Sequence, residues 1–411
     1  MTSPVYVLGG AQSDFARNWA REGHDIFDLF AETTRATLAD ARLAPGDIEV
    51  GHVGNFVAEL FCRQGLLGGF FGLVDSAMAD MPAARHEAAC ASGSIAVLAA
   101  MTEIEAGRYD CALVLGIEQM RNVPGGEAAE HLGAAIWTGH ECQDVRWPWP
   151  HLFARLGDEY ARRYGLDYAH LMAIARNNFA NGRRNPYAQT RRWQFTDASF
   201  TADDEANPVI DGRIRKQDCG QVTDGAAGIV LAGERTARAW AKREGRSLES
   251  LPRIKGWGHR TAPIAFEVKL KASREAPYVF PHVRRTTHEA LSRAGLADAW
   301  QLDGIETHDC FTTTEYMAID HFGLTAPGEN WHIIEDGSIE IGGRLPINPS
   351  GGLIGLGHPV GATGVRMVLD CARQVTGTAG DCQVEDARDF ATLNVGGSAC
   401  TVVSFVVGRD D

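Results

Sequence analysis

Short runs of β-branched and aliphatic residues alternate along the chain with segments whose apolar positions recur at helical spacing. Residues 5–8, 111–115, 229–231, 391–395 and 400–407 read as buried strands, and residues 27–41, 93–106, 286–294 and 362–374 as helices. This alternation predicts an α/β protein. Two stretches look like copies of one another. A helix ending in Ala36-Thr37-Leu38-Ala39-Asp40-Ala41-Arg42-Leu43 leads through a strand-like run to Gly54-Asn55-Phe56. Glu289-Ala290-Leu291-Ser292-Arg293-Ala294-Gly295-Leu296 leads in the same way to Asp309-Cys310-Phe311. Farther on, Cys90-Ala91-Ser92-Gly93 and His358-Pro359-Val360-Gly361 each open a helix that a strand follows. A duplicated α/β unit accounts for the parallel, and a chance match of generic helix–strand units is the alternative.

Residues 121–205 break the pattern and read as an excursion from the α/β core. Between Arg146 and Arg192 there are nine arginines and no lysine, opposed only by Asp158, Glu159 and Asp167, with Trp137, Trp147, Trp149 and Trp193 close by. The planar guanidinium fork suits phosphate oxygens. A solvated helical face with ion pairs is the competing reading.

Bulk properties narrow the possibilities. A chain of 411 residues that is 45% hydrophobic can bury substantial cores, and its length suggests about two or three domain-sized units. A formal charge of −14 argues against a general nucleic-acid binder, which needs a basic surface. Nine cysteines without a CxxC pair fit a reducing compartment with mostly buried thiols. The opening MTSPVYVLGG has no secretory pattern, and no run of roughly 18 apolar residues predicts a membrane span. VVGRDD is neither a peroxisomal address nor a lipidation box. The expected location is the cytoplasm.

Candidate chemistry centres on Cys90. It is flanked by Ala88-Ala89 and Ala91-Ser92-Gly93-Ser94, residues too small to shield it, and precedes the apolar run 95–104. A cysteine at a strand–turn–helix elbow faces the positive end of the helix, an environment that lowers a thiol pKa. A buried cysteine in a tight turn is the alternative. The stretch from Asn348 to Gly364, NPSGGLIGLGHPVGATG, is a glycine-rich turn that delivers His358 to a helix start. There the imidazole would stay neutral and able to accept a thiol proton. His308-Asp309-Cys310-Phe311 and Asn394-Val395-Gly396-Gly397-Ser398 lie at strand-to-loop transitions, where α/β sheets carry ligand-binding residues. Cys111, Cys371, Cys382 and Cys400 read as core, Cys219 as structural, and Ser92 and Ser350 as setting loop geometry.

Cys90-Ala91-Ser92, Gly357-His358-Pro359 and the Gly396-Gly397 loop resemble the active-site loops of the thiolase superfamily. The resemblance covers nearly the whole chain, and Gln221–Ala227 is similar to the strand that follows that family's loop domain. The segment His308-Asp309-Cys310-Phe311 resembles the sterol-carrier-protein type of thiolase. The chain departs from most thiolases in having Asn394 where they carry a second cysteine, and the resemblance assigns that role to Cys310.

The resemblance implies two duplicated halves in a layered α-β-α-β-α core with an inserted loop domain. The expected units are residues 1–120 with 206–250, the insertion 121–205, and 251–411. It implies an acyl-enzyme on Cys90, His358 as its base, Cys310 as the second acid/base and His308 holding a water. Oxyanion groups are expected from the backbone at Cys90 and Gly396, with Asn394 beside them. Coenzyme A enters as a substrate, with Arg183, Arg184, Arg191 and Arg192 as candidate phosphate contacts and no permanently bound cofactor. Acyl-CoA partners and a homodimer or homotetramer are expected, without nucleic acid, membrane or metal. Adjacent residues such as His308-Asp309-Cys310 rarely converge on one ion, and no pair has zinc-like spacing. The competing functions are a related carbon–carbon bond enzyme (a retro-aldolase or a condensing enzyme) and a non-catalytic acyl-CoA-binding subunit.

Overall fold

The computed structural model describes residues 3–411. Its strands are β1 Val5–Gln12, β2 Val50–Gly54, β3 Ala83–His86, β4 Cys111–Glu118, β5 Val209–Asp211, β6 Ile214–Arg215, β7 Gly225–Ala232, β8 Arg253–Thr261, β9 Gly304–Thr307, β10 Asp389–Gly396 and β11 Thr401–Gly408. All except the β5–β6 hairpin join one continuous sheet in the order β3-β2-β4-β7-β1-β8-β11-β10-β9.

The sheet consists of two similar halves that meet where Val5 pairs with Ile254 and Tyr6 with Arg253. Outward from that seam the first half runs β1, β7, β4, β2 and the second β8, β11, β10, β9. In both, the first three strands pair antiparallel and the third and fourth parallel. Strand β3, which pairs parallel with β2, is matched in the second half by an isolated parallel bridge between Ile305 of β9 and Ile347. The helices repeat as well. Ile26–Asp40 precedes β2 as Pro281–Arg293 precedes β9, and Ser92–Glu105 precedes β4 as Thr363–Val375 precedes β10. This is the duplication expected from the sequence, in a mixed α/β fold.

Helices Ser92–Glu105 and Thr363–Val375 form the central layer. One hydrophobic cluster joins Val97 and Ala100 of the first and Val365 and Val368 of the second to Val114 and Ile229 on one side and Val403 and Phe405 on the other. A helix packed on both faces has little room for exposed polar residues, and Thr363–Val375 is buried at nearly every position. Helix Ile26–Asp40 covers an outer face; its cap, Asp25, accepts from the N–H groups of Phe27 and Asp28. The two central helices begin almost backbone to backbone. A Cβ on Gly93 would lie 2.7 Å from the Gly361 carbonyl oxygen, and one on Gly361 would lie 2.4 Å from that of Ile117. Glycine is required at both positions.

Between β4 and β7 the chain leaves the large sheet and forms helices Gly125–Leu132, Pro148–Tyr164 and Tyr168–Arg184. The two longer ones pack over the second half, where Phe153, Leu156 and Phe179 share a core with Phe311, Tyr316 and Ile354, while Gly125–Leu132 packs beside Phe56 and Phe61 of the first. Among the described residues, no helix is long and apolar enough to cross a membrane.

Candidate active site

Cys90 lies in a tight turn, Ala89–Ala91, directly before helix Ser92–Glu105. Ala89 has φ of +50°, a left-handed conformation that costs an alanine energy and turns the next residue sharply outward. The Ser92 hydroxyl holds the turn: it accepts from the Ala88 N–H at 2.9 Å and donates to the Ala89 carbonyl at 2.6 Å. The opposing loop fits closely. A Cβ on Gly396 would lie 2.2 Å from the Ala88 carbonyl oxygen.

Cys90, His308, Cys310 and His358 line one cavity of about 200 Å³. The Cys90 sulfur and one nitrogen of each imidazole all lie within 4.8 Å of one another. The two rings meet edge to face, with centroids 5.2 Å apart. Cys219, expected to be structural, also borders this cavity. A larger cleft of about 960 Å³ runs elsewhere, past Asp40, Arg184 and Asp370, and touches none of these four residues.

The hydrogen-bond partners assign the imidazole tautomers. Thr363 Oγ1 donates to the Pro359 carbonyl at 3.1 Å, so it accepts from His358 Nδ1–H at 2.7 Å. The Nε2 lone pair of His358 is left buried and without a partner. Asn394 has the reverse effect on His308. Its Oδ1 accepts from the Ser94 hydroxyl at 2.8 Å, and its Nδ2 donates to His308 Nδ1 at 3.2 Å. The proton of neutral His308 is therefore on Nε2. One ring offers an acceptor and the other a donor.

Burial keeps all four side chains uncharged at rest. It pulls His308 down to about 3, helped by the buried Arg366 guanidinium. His358 is held well below its usual value by burial, then by His308 and Arg366. Cys310 is pushed well up by burial and by its neighbour Cys90. The sequence argument for a low Cys90 pKa is overturned. Burial, reinforced by the Glu118 carboxyl, pushes the thiol up to about 12, and the N–H groups of Gly397 and Cys90 offset this only in part.

Other expectations change with the geometry. Asn394 is fully buried, donates to His308 and does not line the cavity itself. Gly397, next to the expected Gly396, lines the cavity and brings its N–H to the Cys90 sulfur. Asp309 turns away from its neighbours and accepts from the N–H groups of Leu353 at 2.5 Å and Ile354 at 3.1 Å and from Asn178 Nδ2 at 2.9 Å. It thereby ties the segment carrying His308 and Cys310 to the loop carrying His358. The grouping with ion-binding spacing is Cys90–His308–His358, not the adjacent trio 308–310.

None of the four candidate arginines lines the cavity. Arg191 is paired with both Asp14 oxygens, at 2.8 and 2.7 Å. Arg183 lies over the Phe195 ring at 5.7 Å and donates to the Trp193 carbonyl. Arg184 borders the separate larger cleft, and Arg192 is exposed. The same segment contributes aromatic residues instead: Trp147, Trp149 and Phe153 line the cavity with Met120, Leu132 and Phe311. The adjacent tryptophans are visible in the sequence, but their orientation is not.

The acetyl-CoA acetyltransferase of Methanothermobacter thermautotrophicus is 28% identical over 406 residues, covering 98% of this chain and 99% of its own length. Sterol carrier protein 2 of Homo sapiens is 28% identical over 417 residues, 98% of this chain and 72% of its own length. Two solved structures share the fold across 100% of this chain. The Ltp2-ChsH2(DUF35) aldolase does so with TM-score 0.77, 19% identity and 98% of its own chain covered. Human mitochondrial 3-ketoacyl-CoA thiolase does so with TM-score 0.72, 17% identity and 99% covered. The family model of the thiolase N-terminal domain matches residues 5–235, and that of the thiolase C-terminal domain-like region matches 267–409. The chain therefore belongs to the thiolase family of acyltransferases.

Proposed function

We propose that this acyltransferase carries an acyl group on Cys90 and cleaves 3-ketoacyl-CoA with coenzyme A, or runs the reverse condensation. The observation that carries the reading is the convergence of Cys90, His358, His308 and Cys310 on one cavity. In cleavage, His358 Nε2 takes the Cys90 proton as the sulfur attacks the keto carbon. The carbon–carbon bond breaks, its electron pair forms the enolate of the departing acyl-CoA, and Cys310 protonates that carbon. The thiol of free coenzyme A then attacks the Cys90 thioester and releases the second acyl-CoA.

Two oxyanions form along this path and each needs fixed donors. For the acyl-enzyme, the donors are the N–H groups of Cys90 and of the Gly396-Gly397 loop. For the enolate, the donors are protonated His358 and His308 Nε2–H, directly or through a water. A neutral thiol with a raised pKa suits this scheme, because the sulfur becomes nucleophilic only as His358 removes its proton.

The same reading makes coenzyme A a substrate without a resident cofactor, divides the chain at about residues 120, 205 and 250 as the family resemblance implies, and expects a cytoplasmic homo-oligomer. The test is to incubate 3-ketoacyl-CoA and coenzyme A with the protein and resolve the products chromatographically. Two acyl-CoA products from wild type and none from Cys90→Ala are expected. Full turnover by Cys90→Ala refutes the assignment.

A further inference from the structure

The four reactive side chains occupy only part of the cavity. The remaining wall is apolar and largely aromatic, built from Met120, Leu132, Trp147, Trp149, Phe153 and Phe311. Three of the rings form a near-parallel series. Trp149 and Phe153 lie 6.3 Å apart at 30°, and Phe153 and Phe311 4.8 Å apart at 25°. The series is fixed in place, since Trp149 Nε1–H donates to the Leu132 carbonyl at 3.1 Å and Phe153 is buried in the core.

We infer that this wall is an acyl-binding subsite for a six-membered carbocyclic group, aryl above all, carried as a coenzyme A thioester. The inference rests on the acyl-transfer reading of the cavity and names its substrate class. Size and chemistry both point this way. An apolar cavity of ~150 Å³ accepts a benzene ring, and the whole cavity, its reactive side included, measures about 200 Å³. An acetyl or acetoacetyl group would leave most of the aromatic surface without a partner. An aromatic lining favours a flat ligand, whose ring makes stacking or edge contacts with Trp147 and Trp149 that a linear chain cannot make. A hydroxylated or charged acyl group would lose its water without replacement. Gln221, the uncharged polar side chain on this rim, already donates its amide to the Cys219 carbonyl at 3.1 Å.

Binding tests the subsite independently of turnover. Calorimetric titration of full-length Cys90→Ala protein, which cannot form the thioester, compares benzoyl-CoA with acetyl-CoA. Filling an apolar pocket with even one extra carbon is worth roughly ten- to two-hundredfold, so benzoyl-CoA should bind at least tenfold tighter. The preference should contract when Trp149→Ala or, at the other half-buried tryptophan of the wall, Trp147→Ala is added. Equal affinities, or tighter binding of acetyl-CoA, would overturn the inference and assign the aromatic wall to the pantetheine arm. A failure of the catalytic reading looks different: wild-type protein forms no acyl-Cys90 from either thioester, while the Cys90→Ala protein still prefers benzoyl-CoA.

Discussion

Thr363 does not touch substrate in the proposed mechanism, yet it determines which nitrogen of His358 can act as a base. Its hydroxyl donates to the Pro359 carbonyl and so must accept from His358 Nδ1–H, 2.7 Å away. Thr363→Val keeps the side-chain shape and removes that acceptor. His358 is only 8% exposed, so water does not readily replace the lost partner. Either the Nδ1–H is left unsatisfied, at a cost of about 1–3 kcal/mol, or the proton moves to Nε2 and the base is lost. If the full penalty enters the acylation barrier, the rate falls by roughly 5- to 150-fold. Quenched single-turnover acylation by a simple acyl-CoA, followed by intact-mass measurement, reads this directly. Thr363→Ser should recover most of the rate because it restores the hydroxyl. A loss of stability alone would appear in thermal unfolding and leave the acylation rate of the folded protein unchanged. Acylation of Thr363→Val within twofold of wild type refutes the tautomer argument.

The remaining predictions test the other groups. With the Cys90 thiol pushed up to about 12, its thiolate fraction rises tenfold per pH unit across the neutral range. Alkylation of Cys90 by iodoacetamide should therefore keep accelerating from pH 6 to pH 10, and a plateau from near neutrality would reveal a resting thiolate–imidazolium pair. Cys310→Ala should spare acylation of Cys90 by a simple acyl-CoA and block condensation; equal loss of both would remove its assigned proton-transfer role. Asp309→Asn puts an amide N–H where a carboxylate oxygen accepts from backbone or Asn178 donors. It should lower stability by about 1–3 kcal/mol in chemical denaturation, and an unchanged midpoint would show that the tether between the two loops carries little.

The four residues that meet in the cavity were legible in the sequence because each carries a local signature. Cys90 sits among alanines and glycine before an apolar helix, His358 in a run of glycines, and His308 and Cys310 just past a strand end. Their states depend on contacts that no local pattern contains. The helix-start argument lowers the Cys90 pKa, but burial beneath the inserted helices and beside Glu118 raises it. The arginine cluster reads as a phosphate site in the sequence, where the long-range partner of Arg191 is invisible. Asp14, which neutralises Arg191, is 177 residues away in sequence. Asn394 was legible as part of a glycine loop, whereas its bond to His308, 86 residues away, depends on how β9 and β10 pair. The pocket walls were hidden for the same reason: Trp147 and Trp149 meet Phe311 only after the insertion folds back over the second half of the sheet.

The most direct measurement is peptide mapping by mass spectrometry after brief exposure of wild-type protein to an acyl-CoA. The account predicts one acyl group on the peptide containing Cys90, none on those containing the other eight cysteines, and its removal when free coenzyme A is added. An acyl group on any other residue, or a Cys90 adduct that coenzyme A cannot discharge, contradicts it.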